Sequence, residues 1–254
     1  MSRADSGPGP IEIAGELAVL GGRALVGLFR PPWELRAWIG QMDLLGVRSL
    51  GVAGITTIFT GMVLALQTAF SLPGLGVKYY IGAVVSKSLV RELSPVLVAL
   101  IVGGRIGAGM TAELGSMRVT EQIDALRAMG SDPVRKLVVP RLAAALVMLP
   151  AVTLLGNLLG ILGGLVVAVL ELGLTAGFYL NDVLDALTLE DVGSGIGKSF
   201  FFAFFITIVA CRNGLTAEGG ADGVGRATTR TVVVASILVM VSDYFLTKLF
   251  YLLG

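Results

Sequence analysis

Histidine is absent from this chain, and cysteine occurs once, as Cys211. A disulfide framework is therefore excluded, and a His/Cys metal centre has almost no ligands to draw on. Any acid–base chemistry falls to carboxylates, lysine or tyrosine. Charge is also scarce. Asp, Glu, Lys and Arg make up 15% of residues, against roughly 25% in a soluble domain. The net charge of +1 leaves no basic field for nucleic acid. No Gly-x-x-x-x-Gly-Lys-Ser/Thr loop occurs, so the chain is not expected to bind ATP itself. The glycine-rich stretch Gly219-Gly220-x-x-Gly223-x-Gly225 has neither that pattern nor a preceding strand. No nucleophile–base set is visible, and no enzymatic activity is expected. Residues 1–10, MSRADSGPGP, lack the apolar core and cleavage site of a signal peptide and read as a disordered lead-in. No internal repeat is evident.

Apolar residues fill the space that charge leaves. They make up 55% of the chain, and the mean hydropathy is +0.86. A helix needs about 20 mostly apolar residues to cross a bilayer. Five stretches meet this: 49–70, 79–104, 142–170, 192–211 and 231–253. The reading is an all-α polytopic membrane protein whose permease domain covers 49–254. Residues 11–48 are apolar at helical spacing but interrupted by Glu12, Glu16, Arg23 and Arg30. They suit amphipathic helices lying in the interface, with Trp33 and Trp38 at headgroup level. The segment before the first span and the loops after spans two and four are rich in Arg and Lys. The loop between spans three and four is acidic, with Glu171, Asp182, Asp185, Glu190 and Asp191. Basic loops stay in the cytoplasm. The N-terminus is therefore expected inside and the C-terminus outside.

The most telling stretch is RELSPVLVALIVGGRIGAGMTAELGSMRVTEQIDALRAMG, residues 91–130. Arg91 and Glu92 lie about 20 Å of helix ahead of Arg105. If Arg105 sits at the inner interface, the pair falls in the outer part of the span. A charge there costs about 2.5–3.5 kcal/mol, so it faces protein, water or a polar ligand. One reading is an internal ion pair with snorkelling side chains. The other is a headgroup site, in which Arg91 holds a phosphate and Glu92 orients it or gates the cavity. Lys198 could add a second cation, and Gln67, Leu64 and Tyr80 could line the cavity. Asp243 reads as an interhelical hydrogen bond or a pair with Lys248. At the other end, residues 120–130 form a short polar helix with Thr120 as a plausible N-cap and Gly130 as its stop. Asp124-Ala125-Leu126-x-x-x-Gly130 resembles the Glu-Ala-Ala-x-x-x-Gly loop of ABC importer permeases. Gly156, Gly160 and Gly164, with Gly103/Gly107 and Gly193/Gly197, allow close helix approach, within the subunit or across a dimer seam.

Three blocks together carry a longer resemblance: residues 91–126, Gly61-Met62-Val63-Leu64-Ala65-Leu66-Gln67, and Gly225-Arg226-Ala227-Thr228-Thr229-Arg230-Thr231-Val232-Val233. In order and spacing they are similar to the MlaE/YrbE family of ABC permeases, over roughly residues 30 to 254. The resemblance implies a homodimeric phospholipid permease of the bacterial inner membrane. It implies a separate cytoplasmic ATPase that binds ATP, an external MCE-domain lipid carrier and a small cytoplasmic accessory subunit as further candidate. It implies a lipid pocket at the outer ends of the spans, near Arg91 and Glu92. It makes Glu121, Gln122, Asp124, Arg127 and Met129 a coupling helix for the motor. The alternative is an ion- or proton-coupled secondary transporter or channel using Arg91, Glu92 and Asp243. The absence of an inverted repeat argues against it.

Overall fold

A computed structural model describes residues 9–31, 35–71 and 80–253. Most of the proposed lead-in, Trp33 and the start of the second span at Tyr79 lie outside the described residues. Among the described residues every regular element is helical. The first two helices, α1 (Pro10–Leu28) and α2 (Leu35–Leu45), precede α3 (Leu50–Ser71). Next come α4 (Ile81–Ser88), α5 (Ser94–Val119) and the short α6 (Gln122–Ala128). The chain closes with α7 (Val139–Leu170), α8 (Ala176–Ala186), α9 (Leu189–Leu215) and α10 (Gly220–Leu253). Five helical segments are long and apolar enough to cross a membrane.

These helices outrun the apolar cores that mark them. The second continues to Val119, past the Gly/Ala-rich stretch, and the fifth begins at Gly220. Small residues make this possible because they let helices touch. A Cβ on Gly103 would meet the Ile206 side chain at 2.4 Å, and one on Gly115 would meet Val224 at 3.2 Å. The α3–α7 contact is closer still. A Cβ on Gly61 would lie 1.9 Å from the Gly160 carbonyl, and one on Gly163 would lie 2.2 Å from the Ile58 carbonyl. The glycine ladder of α7 therefore packs within the subunit. Gly193, by contrast, faces no neighbour within 4 Å.

Two helical turns are widened to i→i+5 bonding, at Leu89–Leu93 and Val134–Val138. Each stands just ahead of a proline, Pro95 and Pro140. A proline ring clashes with the carbonyl four residues back and cannot donate to it. The wide turn relieves both problems. Ser94 N–H bonds the Leu89 carbonyl and Val139 N–H bonds the Val134 carbonyl.

The main core joins α5, α7, α9 and α10 through Val98, Val102, Ile106, Leu149, Phe202 and Ile206. A second core joins α3, α4, α7 and α8 around Val85, Leu89, Val167 and Tyr179. A third seats α1, through Ala24, on Leu114, Leu142 and Ile208. Burial is uneven. The apolar stretch of α9 is 67% buried and that of α10 only 17%. Val233, Ile237, Met240 and Phe245 of α10 stay exposed, as do Ile55, Phe59 and Val63 of α3.

Candidate functional site

The widened turn at Leu89–Leu93 sends neighbouring charges to different partners. Arg91 lies 3.3 Å from Asp191 at the start of α9. Asp191 is held in turn by a capping box. Its backbone N–H donates to Thr188 Oγ1 at 3.2 Å, and its Oδ2 accepts the Thr188 N–H at 3.0 Å. Arg91 remains 40% exposed and lines an open cavity of about 620 Å³ with Glu190, Ser194, Phe250 and Tyr251. Its guanidinium is thus anchored on one side and open on the other.

Glu92 turns inward. Lys198 Nζ, fully buried on α9, donates to Glu92 Oε2 at 2.5 Å and to Thr247 Oγ1 at 2.7 Å. The same Nζ lies 3.1 Å from Asp243 Oδ1. One cation thus ties the widened turn to α9 and α10 between two carboxylates. Burying it without them would be prohibitive, and its charge is spent inside the subunit. Three sequence expectations change here. Arg91 and Glu92 do not pair with each other or orient one another, since their partners are Asp191 and Lys198. Asp243 pairs with Lys198 and not with Lys248, because α10 turns Asp243 towards α9. Lys198 is enclosed by carboxylates and does not face open space.

The remaining candidates are distributed. Leu64 and Gln67 line a mostly apolar groove of about 480 Å³ along α3, shared with Phe59, Val63 and Leu93. Leu93 follows Glu92 directly, so groove and polar cluster adjoin. Tyr80 is exposed at the start of α4 and takes no part in the lining of that groove. Sequence reasoning missed Asp191 as the partner of Arg91, and Thr247 altogether. The Thr188-x-x-Asp191 spacing, a helix-start signal, could have located the first. Thr247 gave no local signal.

At the other end of α5 stands α6. Ile123 is fully buried and pins it, while Glu121, Gln122, Asp124, Arg127 and Met129 are all exposed. Thr120 is not its N-cap. The Thr120 hydroxyl donates back to the Ser116 carbonyl at 2.8 Å, continuing α5. The N-cap is Glu121, which reverses the chain with φ 60°. Gly130 does stop the helix, at φ 73°. Its N–H bonds the Arg127 carbonyl at 2.9 Å and the Ser131 N–H bonds that of Leu126 at 3.0 Å. This bond pair closes a helix end that needs a left-handed residue. Asp124 accepts from Arg118 at 2.5 Å and Arg127 at 2.9 Å, so the exposed charges are paired locally. Midway along α5, Arg105 donates to the Arg48 carbonyl at 2.6 Å. Arg212 forks onto Glu16 at 2.6 and 2.8 Å, binding α1 to α9.

The sequence that builds these elements matches a known family. The family model described as "Permease MlaE" matches residues 38–249. A probable ABC transporter permease protein of Rickettsia conorii is 42% identical over 93% of this chain and 92% of its own length. The intermembrane phospholipid transport system permease protein MlaE of Haemophilus influenzae is 37% identical over 84% of this chain and 82% of its own. The chloroplast protein TRIGALACTOSYLDIACYLGLYCEROL 1 of Arabidopsis thaliana is 33% identical over 92% of this chain and 67% of its own. On the strength of the model match and these identities, the chain belongs to the MlaE permease family.

Proposed function

We propose that this protein is the membrane subunit of an ATP-driven transporter that moves phospholipid between the inner membrane and an external MCE-type carrier. Family membership carries this reading, together with the relative named as an intermembrane phospholipid transport permease. ATP is bound by a separate cytoplasmic ATPase seated on α6. Two copies form the working unit, joined through the exposed apolar faces of α3 and α10, which the subunit leaves uncovered. An accessory cytoplasmic subunit completes the assembly. The N-terminus lies inside and the C-terminus outside, following the basic loops.

In this mechanism Arg91 meets the lipid phosphate. Its anchored guanidinium keeps one edge towards the open cavity, as bidentate phosphate recognition requires. The acyl chains lie along the groove at Leu64 and Gln67. Tyr80 meets lipid at the mouth of the cavity, and Glu92 and Lys198 set the cavity wall. Lys198 would touch lipid only by leaving a carboxylate. α5 is one unbroken helix from the widened turn to the coupling end, so a push on α6 reaches Arg91 and Glu92 through it.

Glu121→Arg is expected to abolish co-purification of the ATPase while leaving membrane insertion intact. A photo-crosslinker at Gln67 or Arg91 should label phospholipid in cells well above a control at Leu158, which is exposed on α7 away from that seam. An unchanged ATPase complex, or labelling equal to the control, would count against the proposal. Lipid transport without any ATPase would instead favour the secondary-transporter reading.

A further inference from the structure

At the α6 end of the bundle, two depressions of about 400 and 550 Å³ meet between α1 and the start of α7. They share Gly27, Arg30, Asp132, Arg135 and Val139, so they form one continuous trough. Its halves differ in chemistry. One is lined by Arg30, Arg135 and Lys136 beside the Gly130–Asp132 turn, with Trp38 at its edge. The other runs along Ala18, Val19, Val26 and Val134, with Arg23 on its flank. Among the described residues of the lining, Arg23, Arg30 and Arg135 outnumber the one carboxylate, Asp132. Asp132 is moreover engaged, its Oδ1 accepting the Val134 N–H at 2.9 Å. Arg135 is held in place: its Nη2 donates to the carbonyls of Arg30 and Pro31, spanning the gap between the end of α1 and α7.

We infer that this trough is a binding site for an anionic phospholipid of the adjoining leaflet, separate from the proposed transport route at Arg91. The charge selects a phosphate, and a guanidinium group such as those of Arg30 and Arg135 in the lining suits its geometry. The apolar half selects an attached acyl chain, which a soluble phosphate lacks. The trough also sits at the right depth. α1 leaves Val19, Leu25, Val26 and Phe29 exposed, which places it at the boundary of headgroups and acyl chains. Tryptophan such as Trp38 favours the same level. A basic pocket beside spanning helices at a membrane surface is a recognised form of headgroup site. A lipid lying there touches α1, α7 and the turn after α6 at once, and so steadies the seat of the coupling helix.

The test uses the full chain in nanodiscs of phosphatidylcholine with added phosphatidylglycerol, read by native mass spectrometry of retained lipid. The wild type should retain phosphatidylglycerol in preference to phosphatidylcholine. Arg30→Gln with Arg135→Gln should lower that retention roughly tenfold, at about fivefold or less per charge. Arg226→Gln with Arg230→Gln, which removes as much charge elsewhere, should leave it unchanged. Equal losses in both double variants would reduce the effect to general surface charge and overturn the site. Displacement by millimolar glycerol phosphate would identify a soluble anion as the ligand, and displacement by a co-purifying protein would identify a protein surface; either overturns the lipid assignment. A second measurement leaves the trough intact. In Trp33→Phe, Trp38 is the sole tryptophan, and brominated phosphatidylglycerol should quench it more than brominated phosphatidylcholine at equal mole fraction. Equal quenching would also overturn the site. Neither readout depends on the ATPase or on lipid transfer, so failure here is distinct from failure of the transport reading.

Discussion

The two ends of α5 carry similar numbers of charges and use them in opposite ways. At Arg91 and Glu92 the charges pair across helices, with Asp191, Lys198 and Asp243 supplied by α9 and α10. At α6 they pair within a few residues, Asp124 with Arg118 and Arg127, and stay exposed. Burial of the partners accounts for the difference: Lys198 and Asp191 are buried, whereas Asp124 is 48% exposed. A desolvated charge must have its partner wherever the fold can supply one, and losing either member leaves the other stranded. An exposed pair contributes little, so the surface around it can be given to another protein. The first end ties helices together; the second leaves its surface uncovered, and under the proposed function the first also meets substrate and the second docks the ATPase.

The largest effect that would break this contrast is expected from Lys198→Met. It strands Glu92 and Asp243 against each other and should cost about 3 kcal/mol, read as a lower unfolding temperature in detergent. Adding Asp243→Asn and Glu92→Gln removes the stranded charges and should recover most of the loss. A single variant as stable as wild type would mean that the cluster is not desolvated. At the other end, Asp124→Ala frees two exposed arginines and should cost less than about 1 kcal/mol. A loss as large as that at Lys198 would erase the distinction. The smallest effect is expected from Glu121→Asn. Asparagine tolerates the left-handed conformation that Glu121 adopts. Stability should rise by no more than about 0.5–1 kcal/mol, while ATPase association should weaken less than in Glu121→Arg. Equal loss in both would assign the docking role to the Glu121 side chain itself.

Much of this molecule is legible without coordinates because the bilayer imposes a simple code. A span must be a long apolar helix with its backbone bonds satisfied internally, and five such stretches stand out. Gly130 was equally readable as a helix stop, since a left-handed residue there suits glycine. The polar cluster was not. Local sequence offers Lys248 as the partner of Asp243, and only the packing of α10 on α9 brings Lys198 closer. The lengths of the helices also escaped, because hydropathy ends the second span near Gly104; Gly103 and Gly107 read as a close-approach pair, and Gly115 does not. All three are the contact surface that lets α5 continue against α9 and α10.

The sequence by itself therefore determined the class of protein, the number of spans, the family and the exposed helix after α5. Each follows from hydropathy, helix-ending chemistry or contiguous motif, which are properties of neighbours along the chain. Tertiary structure alone decided which charges meet. It turned Arg91 and Glu92 apart at a widened turn, enclosed Lys198 and gathered basic residues of α1 and α7 around one trough. Those pairings join residues far apart in the chain. They are fixed by the rotation of each helix against its neighbours, which the sequence does not display until the helices are packed.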